Sequence, residues 1–282
     1  MTSQYSAVQQ ARRDLGQRLR EIRKDSGLTA RALAVRAGWH ESKCSRIEHG
    51  RTPPSDTDIR VWALHCGAEE QVADLIATAR GIEGTYVEWR RMERAGLKRA
   101  QESASPLFER TQRFRSYSSW LIPGPFQTAA YTRAVLQGTA RRRGLPEDVE
   151  DAVAVRVKRQ RVLHEGARRF AVLIEESALR KLVGGTDVMA GQLSHLITVS
   201  SLPSVSLGII PDSADRSAMH PVEDFWIFDD VQVNVELVSA WLTITQPHEL
   251  SLYVQAFSTL AELAVYGADA RALITSAITS HG

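Results

Sequence analysis

The 282-residue sequence has no run of about 18 consecutive apolar residues, the length that a membrane-spanning helix requires. Its first ten residues, MTSQYSAVQQ, lack the apolar core of a signal peptide. The two cysteines, Cys44 and Cys66, are not spaced like metal ligands. We therefore expect a cytoplasmic protein that makes no membrane contact and has no disulfide, no metal and no cofactor.

Sequence motifs typical of catalytic sites are also scarce. No glycine-rich phosphate loop follows a strand, since Gly184-Gly185 ends a predicted helix, and no nucleophile elbow or HExxH motif is present. Glu175 and Glu176, at a predicted strand-to-helix junction, are interpreted as cap and helix-dipole partners. We therefore expect that the protein is not an enzyme. An enzyme acting on a nucleotide, with a DNA-binding head, is the alternative that these absences argue against.

What the sequence does have is an uneven distribution of charge. Residues 12–51 hold 11 Lys and Arg against 5 Asp and Glu, a net charge of +6. The rest of the chain holds 24 Lys and Arg against 28 Asp and Glu, a net charge of −4. The net charge of the whole chain, +2, conceals this difference. A basic segment on an acidic remainder indicates a polyanionic partner for the first part alone.

Residues 15–54 have the pattern of two short helices that cross at a tight turn. The first of the pair starts at Thr29 and ends at Gly38, and the other begins just after His40 and ends at Gly50. The apolar positions expected to fix their crossing are Leu33, Ala37, Cys44 and Ile47. The exposed polar face then consists of Glu41, Ser42, Lys43, Ser45, Arg46 and His49. Such a face suits base edges in the major groove.

This stretch resembles the Cro/cI-type (XRE) helix-turn-helix family in LGQRLREIR, the GLT helix start, LA..AG, and SKCSRIEHG ahead of two prolines. The resemblance implies that double-stranded DNA contacts Thr29, Arg31, Glu41, Ser42, Lys43, Arg46 and Arg51. Lys43 and Arg46 are the best candidates for base or phosphate contacts, whereas Thr29 caps a helix whose N-terminus faces phosphate. Glu48 is interpreted as structural, paired with a basic residue of the first helix. His40 departs from the family, where Ser or Thr is usual at this cap, and this leaves the base preference open.

The predicted fold class is α+β. We predict an all-α, five-helix, Cro/cI-like domain over 12–82, a helical linker over 83–106 and a mixed α/β domain with a small sheet over 107–282. The head includes further helices at 56–66 and 69–82. Helices are also predicted at 107–137 (broken at Pro123-Gly124-Pro125), 147–165, 176–183, 187–200, 248–265 and 268–279, with Arg141–Arg143 in a loop. The predicted strands are Phe170–Ile174, Val205–Ile210, Phe225–Phe228 and Val231–Val238.

The C-terminal part resembles the actinobacterial WhiJ-like regulators. The runs that carry the resemblance are SSWLIPGPFQTAAYTRAVL, RVKRQRVL, FAVLIEESALRKLVGG and LPSVSLGIIP. It implies a transcriptional regulator, a repressor, whose C-terminal domain binds a small cognate partner protein or a small-molecule effector. We expect a homodimer, because one short recognition helix reads few base pairs. The alternative is an antitoxin-like protein-binding module whose DNA binding is only autoregulatory.

Overall fold

The computed structural model describes residues 4–88, 96–146, 148–238 and 240–281. The chain divides into two units, Met1–Val87 and Glu88–Gly282. None of the helices in these described ranges is long and apolar enough to cross a membrane. The chain is an α+β protein, as predicted, with a helical N-terminal unit and a mixed sheet in the second unit.

Five helices form the first unit: α1 (Gln4–Asp25), α2 (Ala30–Ala37), α3 (Glu41–Glu48), α4 (Asp56–Cys66) and α5 (Val72–Thr85). A short 3-10 helix, Glu69–Gln71, precedes α5, and a short strand, β1 (Tyr86–Glu88), spans the division of the chain. The core between the helices contains Leu15, Leu19, Leu33, Cys44, Ile47, Ile59, Trp62 and Leu75. The predicted five-helix domain is therefore confirmed.

Local signals determine where α2 begins and ends. The Thr29 hydroxyl accepts a hydrogen bond from the Ala32 amide at 3.1 Å, as an N-cap residue does. Gly38 ends the helix with φ at +67°, a left-handed conformation that favours glycine. This turn lets the Trp39 amide donate to the Ala34 carbonyl at 2.8 Å and sends the chain into α3.

A buried ion pair fixes α3 against α1. Arg23 Nε donates to Glu48 Oε1 at 2.5 Å, and Nη2 of the same guanidinium donates to Oε2 at 3.1 Å. The two side chains are only 8% and 5% exposed, so the sequence-based interpretation of Glu48 as structural is confirmed. The Glu48 carboxylate raises the pKa of Arg23 through this hydrogen bond, against the opposing effect of burial. Gly16 permits the close approach, because a Cβ there would lie 2.5 Å from the Ile47 carbonyl oxygen.

The described part of the second unit holds seven helices: α6 (Leu97–Arg110), α7 (Ala129–Arg143), α8 (Val149–Arg159), α9 (Glu176–Arg180), α10 (Thr186–Ser200), α11 (Pro247–Glu262) and α12 (Gly267–His281). Its strands are β2 (Arg113–Ser118), β3 (Arg169–Glu175), β4 (Val205–Ile210), β5 (Phe225–Phe228), β6 (Gln232–Glu236), β7 (Ala240–Ile244) and β8 (Val265–Tyr266). Two short 3-10 helices are Gly124–Phe126 and Gln160–Leu163.

These strands form a mixed sheet in the order β7-β6-β5-β2-β3-β4-β8. β2, β3 and β4 are parallel, while β5, β6, β7 and β8 pair antiparallel with their neighbours. One face packs apolar side chains such as Phe170 and Ile209 against α10 and α12. The other face packs Leu173 and Ile227 against α11. The sheet is therefore covered by helices on both sides.

The structure corrects three predictions in this unit. Residues 107–137 do not form a broken helix, because Arg113–Ser118 is strand β2, paired with β3 on one side and β5 on the other. The predicted strand Val231–Val238 is shorter, since β6 covers only Gln232–Glu236, and the following strand β7 was not predicted. Arg141–Arg143 lies in the last turn of α7 and not in a loop, a position where cations favour the helix dipole.

The predicted linker, 83–106, includes residues 89–95, which lie outside the described residues. Its C-terminal end belongs to α6, where Leu97 and Ala100 are buried. Arg159 of α8 donates to the Gln101 carbonyl at 2.8 Å, so α6 is tied to the second unit. The limits predicted for the three segments stay a prediction.

The Arg23–Glu48 pair generates a stability prediction. Glu48→Gln removes the charge that compensates buried Arg23, and we expect the free energy of unfolding of the first unit to fall by about 3 kcal/mol. Glu41→Gln makes the same chemical change on the exposed face of the same helix and should alter stability by less than about 0.5 kcal/mol. Urea unfolding of the full chain, followed by circular dichroism, measures both. Equal midpoints for the two variants would contradict the role given to Glu48.

Candidate nucleic-acid interface

One side of α3 lies in the core and the opposite side faces solvent. Cys44 and Ile47 are 0% and 1% exposed and pack in the core of the first unit, so they anchor this side of α3. Burial also raises the pKa of the Cys44 thiol, as expected for a core residue and not for a reactive one. The exposed side chains on the other side are Glu41, Ser45, Arg46 and His49, with Ser42 half-buried beside them. This polar face contains three of the predicted DNA-contacting residues.

His40 caps α3 in place of the usual Ser or Thr. Its Nδ1 accepts a hydrogen bond from the Ser42 amide at 3.3 Å and lies 2.8 Å from the Ser42 hydroxyl. Nδ1 thus takes the place of the hydroxyl oxygen that usually caps a helix. The His40 ring caps the start of α3, and the Ser42 hydroxyl lies beside the capping nitrogen.

Lys43 is held by the protein itself. Its Nζ lies 2.6 Å from Asp58 Oδ1 in α4 and 4.5 Å from the centre of the Trp39 ring. Asp58 in turn accepts from the Ser55 amide and completes a capping box at the start of α4. Trp39 packs against Trp62, with their ring centres 6.1 Å apart. Sequence reasoning grouped Lys43 with Arg46, but the structure directs Lys43 to α4.

Arg46 is exposed, and its guanidinium makes no hydrogen bond or ion pair with the described residues. Its carbonyl oxygen accepts from the amides of Arg51 and Thr52 at 2.9 and 3.2 Å. These two bonds fix the loop after α3 to the helix end and place the exposed Arg51 directly after it. Arg46 is thus a free cation on a fixed helix, and Arg51 extends the basic surface.

The two remaining predicted residues lie at the start of α2. Thr29 is the N-cap, and its hydroxyl is already used by the Ala32 amide. Arg31 is exposed in the first turn of α2. The predicted residues therefore lie at the start of α2, along α3 and in the loop that follows α3. Asp58, which determines the position of Lys43, was missed, because the pairing joins residues from two different helices.

In the second unit, the PGPFQT segment makes hydrogen bonds that hold neighbouring helices together. Gln127, in the PGPFQT segment, is 3% exposed, and its amide donates to the Ile122 carbonyl at 2.7 Å. Its Oε1 accepts from the Thr132 hydroxyl and from Arg156, both at 3.0 Å. Its carbonyl accepts from Gln160 at 2.5 Å. One residue, through its buried side-chain amide and its backbone carbonyl, therefore joins the segment before α7 to α7 itself, α8 and the 3-10 turn that follows.

Two arginines of the RVKRQRVL run also lie inside this structure. Burial lowers the pKa of Arg156 to about 10 and that of Arg159 to about 10, so both stay charged at neutral pH. Their neighbours are amides and an aromatic ring: both guanidinium groups bind Gln101 Oε1 at 3.0 Å, and Arg159 lies 4.8 Å from the centre of the Phe108 ring. Among the described residues, no group of three or more His, Cys, Asp and Glu side chains could hold a metal ion.

The contacts of Gln127 predict a structural defect when the amide is removed. Gln127→Ala leaves Thr132 and Arg156 without their shared acceptor, and we expect a loss of about 2–4 kcal/mol in the stability of the second unit. Gln137→Ala removes an exposed amide in α7 and serves as the control. Differential scanning calorimetry of the full chain compares the two variants. A Gln127→Ala transition at the wild-type temperature would contradict the structural role.

Comparison with known proteins agrees with the division of the chain. Residues 14–75 match the model of a helix-turn-helix domain, and residues 107–276 match a domain of unknown function, DUF5753. No curated protein matches the chain. A solved structure of TrmBL2, an archaeal chromatin protein described as having a novel mode of DNA binding, is 13% identical over 85% of this chain and 88% of that one. Its TM-score of 0.32 is too low to support an argument. Because the larger match spans more than half of the chain, the protein belongs to the DUF5753 family, with a helix-turn-helix domain at its N-terminal end.

Proposed function

We propose that this protein is a sequence-specific DNA-binding transcriptional regulator, a repressor that acts as a homodimer. The observation that carries the proposal is the orientation of α3, with its apolar side buried and a polar, exposed face opposite. In helix-turn-helix proteins such a face enters the major groove. The net charge of +6 over residues 12–51 favours a polyanion on the same helices.

Within the interface, Arg46 is the residue proposed to bind DNA directly. Its guanidinium is exposed and has no partner among the described side chains, so binding a base or a phosphate breaks no contact. Guanine presents two acceptors, O6 and N7, that match the guanidinium fork. Lys43 is proposed as a positioning residue, because its ammonium already lies against Asp58.

The homodimer follows from the size of the recognition element. α3 has only 8 residues, and a single short helix reads too few base pairs to select one site in a genome. Two copies bound one helical turn apart double the number of base pairs that are read. We propose that the second unit binds an effector or a small partner protein and is not an enzyme. Membership of the WhiJ-like regulators, which rests on its sequence motifs, is part of the same proposal.

Fluorescence anisotropy with the duplex upstream of the protein's own gene tests the proposal. We expect Arg46→Ala to weaken binding by about tenfold or more, since a good bidentate base contact contributes about 1–3 kcal/mol. If Arg46 binds phosphate, the log–log salt slope should also fall by about one. Arg271→Ala, an exposed arginine on α12, is the matched control and should bind like wild type. The saturation point should correspond to two chains per duplex.

Two further variants separate the roles of Lys43 and Arg46. Asp58→Asn keeps an oxygen acceptor for the Ser55 amide but releases Lys43 from its ion pair. If Lys43 only positions α3, Lys43→Ala and Asp58→Asn should have similar, smaller effects than Arg46→Ala. If DNA binding is equal in wild type and Arg46→Ala at every salt concentration, α3 does not read DNA and the proposal fails.

The second candidate is an antitoxin-like module whose DNA binding only autoregulates its own gene. An exposed aromatic side chain favours a protein partner: Trp120, two residues after β2, is 64% exposed, with Lys181 Nζ lying 3.8 Å from the centre of its ring. Leu182, which follows Lys181 in the chain, is also exposed, at 61%. Co-expression with the product of a small adjacent gene tests this candidate. A complex that Trp120→Ala disrupts would support it, and the absence of a complex would contradict it.

A further inference from the structure

A groove of about 410 Å³ opens on the second unit, at the amino-terminal ends of the parallel strands β2, β3 and β4. It lies on the α11 side of the sheet, where the Arg115 guanidinium is 6.0 Å from the centre of the Phe257 ring. Three arginines line it: Arg113 and Arg115 alternate along β2, and Arg169 is the β3 residue directly opposite Arg113. Pairing of the two strands therefore places three guanidinium groups on one face.

The groove has more positive than negative charge. Asp230 is the acidic residue in its lining, and it pairs with Arg113 at 3.1 Å and with Arg115. Arg169 is exposed and makes no ion pair among the described residues. Burial, and then the charge of Arg113, lower the pKa of Arg115, which indicates that cations are crowded here. With one carboxylate against three arginines, the groove carries a net charge of +2.

The carboxylate that occupies the groove is held by a tight turn. Asp229 and Asp230 connect β5 to β6 with φ values of +50° and +58°, a left-handed conformation that aspartate and asparagine adopt more readily than most residues with a side chain. Asp229 holds the turn in place by accepting from the amides of Gln112 and Arg113 at 3.0 and 2.7 Å. Asp230 thereby lies on the guanidinium groups of β2, in the place that a carboxylate or phosphate from solution would take.

We propose that this groove binds a small, multiply charged anion through Arg169, Arg113 and Arg115. Guanidinium forks match the paired oxygens of phosphates and carboxylates, which form charge-assisted hydrogen bonds with them. The proposal deepens the role proposed for the second unit, because it gives the chemical class of the effector. Serines of the β4 side, Ser204 and Ser206, also line the groove. The exposed Ser206 hydroxyl would add a hydrogen bond to the ligand.

A small ligand fits this groove better than a DNA backbone. Its volume falls within the range of about 300–1,000 Å³ that is typical of small-molecule sites. The second unit as a whole is neutral, with 22 Lys and Arg against 22 Asp and Glu in residues 88–282, so it lacks the net positive charge of residues 12–51. A duplex requires a positive surface along its length. A concave, locally cationic groove on a neutral domain is instead suited to a compact anion.

Isothermal titration calorimetry of the full chain tests the proposal with inorganic pyrophosphate and with citrate, at constant ionic strength set by NaCl. We expect saturable binding of one anion per chain. Arg169→Gln should weaken it by about tenfold, the effect of losing one charge-assisted hydrogen bond. Arg271→Gln makes the same change on α12 and should leave the affinity unchanged. Preference for pyrophosphate or citrate distinguishes a phosphorylated effector from a polycarboxylate.

A second variant should strengthen anion binding, whereas Arg169→Gln should weaken it. Asp230→Asn removes the internal carboxylate, and asparagine tolerates the left-handed conformation of the turn. We expect it to tighten anion binding by about tenfold, by removing a competitor charge. Saturable binding that Arg169→Gln leaves unchanged, or no binding at millimolar anion, would overturn the proposal. Weaker binding of non-operator duplex to Arg169→Gln, with no pyrophosphate binding in wild type, would assign the groove to DNA phosphates and also overturn it.

The same variants keep this inference separate from the proposed function of α3. Arg46→Ala should bind pyrophosphate like wild type, and Arg169→Gln without added anion should bind the operator like wild type. Wild-type protein that binds pyrophosphate but not the operator would overturn the role of α3 alone. Wild-type protein that binds the operator but neither anion would overturn the groove alone.

Discussion

The buried ion pair between Arg23 and Glu48 determines where α3 lies. A desolvated arginine and carboxylate stabilise each other only when both are present with good geometry. Arg23 also donates to the Leu28 carbonyl at 2.6 Å, so one guanidinium binds the end of α3 and the turn between α1 and α2. Because α2 starts immediately after that turn, the pair fixes both helices of the helix-turn-helix relative to α1. The exposed face of α3 is therefore presented on a rigid support.

The same constraint explains why the two basic residues of α3 differ. Glu48 and Ile47 hold the C-terminal end of the helix, and the ion pair of Lys43 with Asp58 holds its other half against α4. Arg46 lies between these anchor points on the solvent side and is not needed to position the helix. A side chain without a structural contact can exchange water for a base or phosphate at low cost, whereas Lys43 would first have to leave Asp58.

Much of the first unit could be predicted from its sequence because its signals are local. Thr29, Gly38 and the Ser55 capping box mark helix ends within four residues of the bonds they make. β2 could not be predicted in this way, because its partners are residues 169–174 and 225–228, far along the chain. The short sequence RFRSYS has a helix on its N-terminal side, and only pairing on both edges makes it a strand. The partner of Lys43 was missed for the same reason.

The groove of the second unit was missed because its arginines come from strands that are 56 residues apart, paired as Arg113 with Arg169. The two kinds of arginine in this unit differ in what surrounds them. Arg156 and Arg159 are half-buried and bound by amide oxygens, so the fold depends on them. Arg169 is exposed on β3 beside two other cations, and among the described residues its guanidinium bonds only the Arg168 carbonyl, at 3.4 Å. Repulsion between like charges on neighbouring strands opposes folding there. A residue that lowers stability at its position is better explained by a ligand than by the fold.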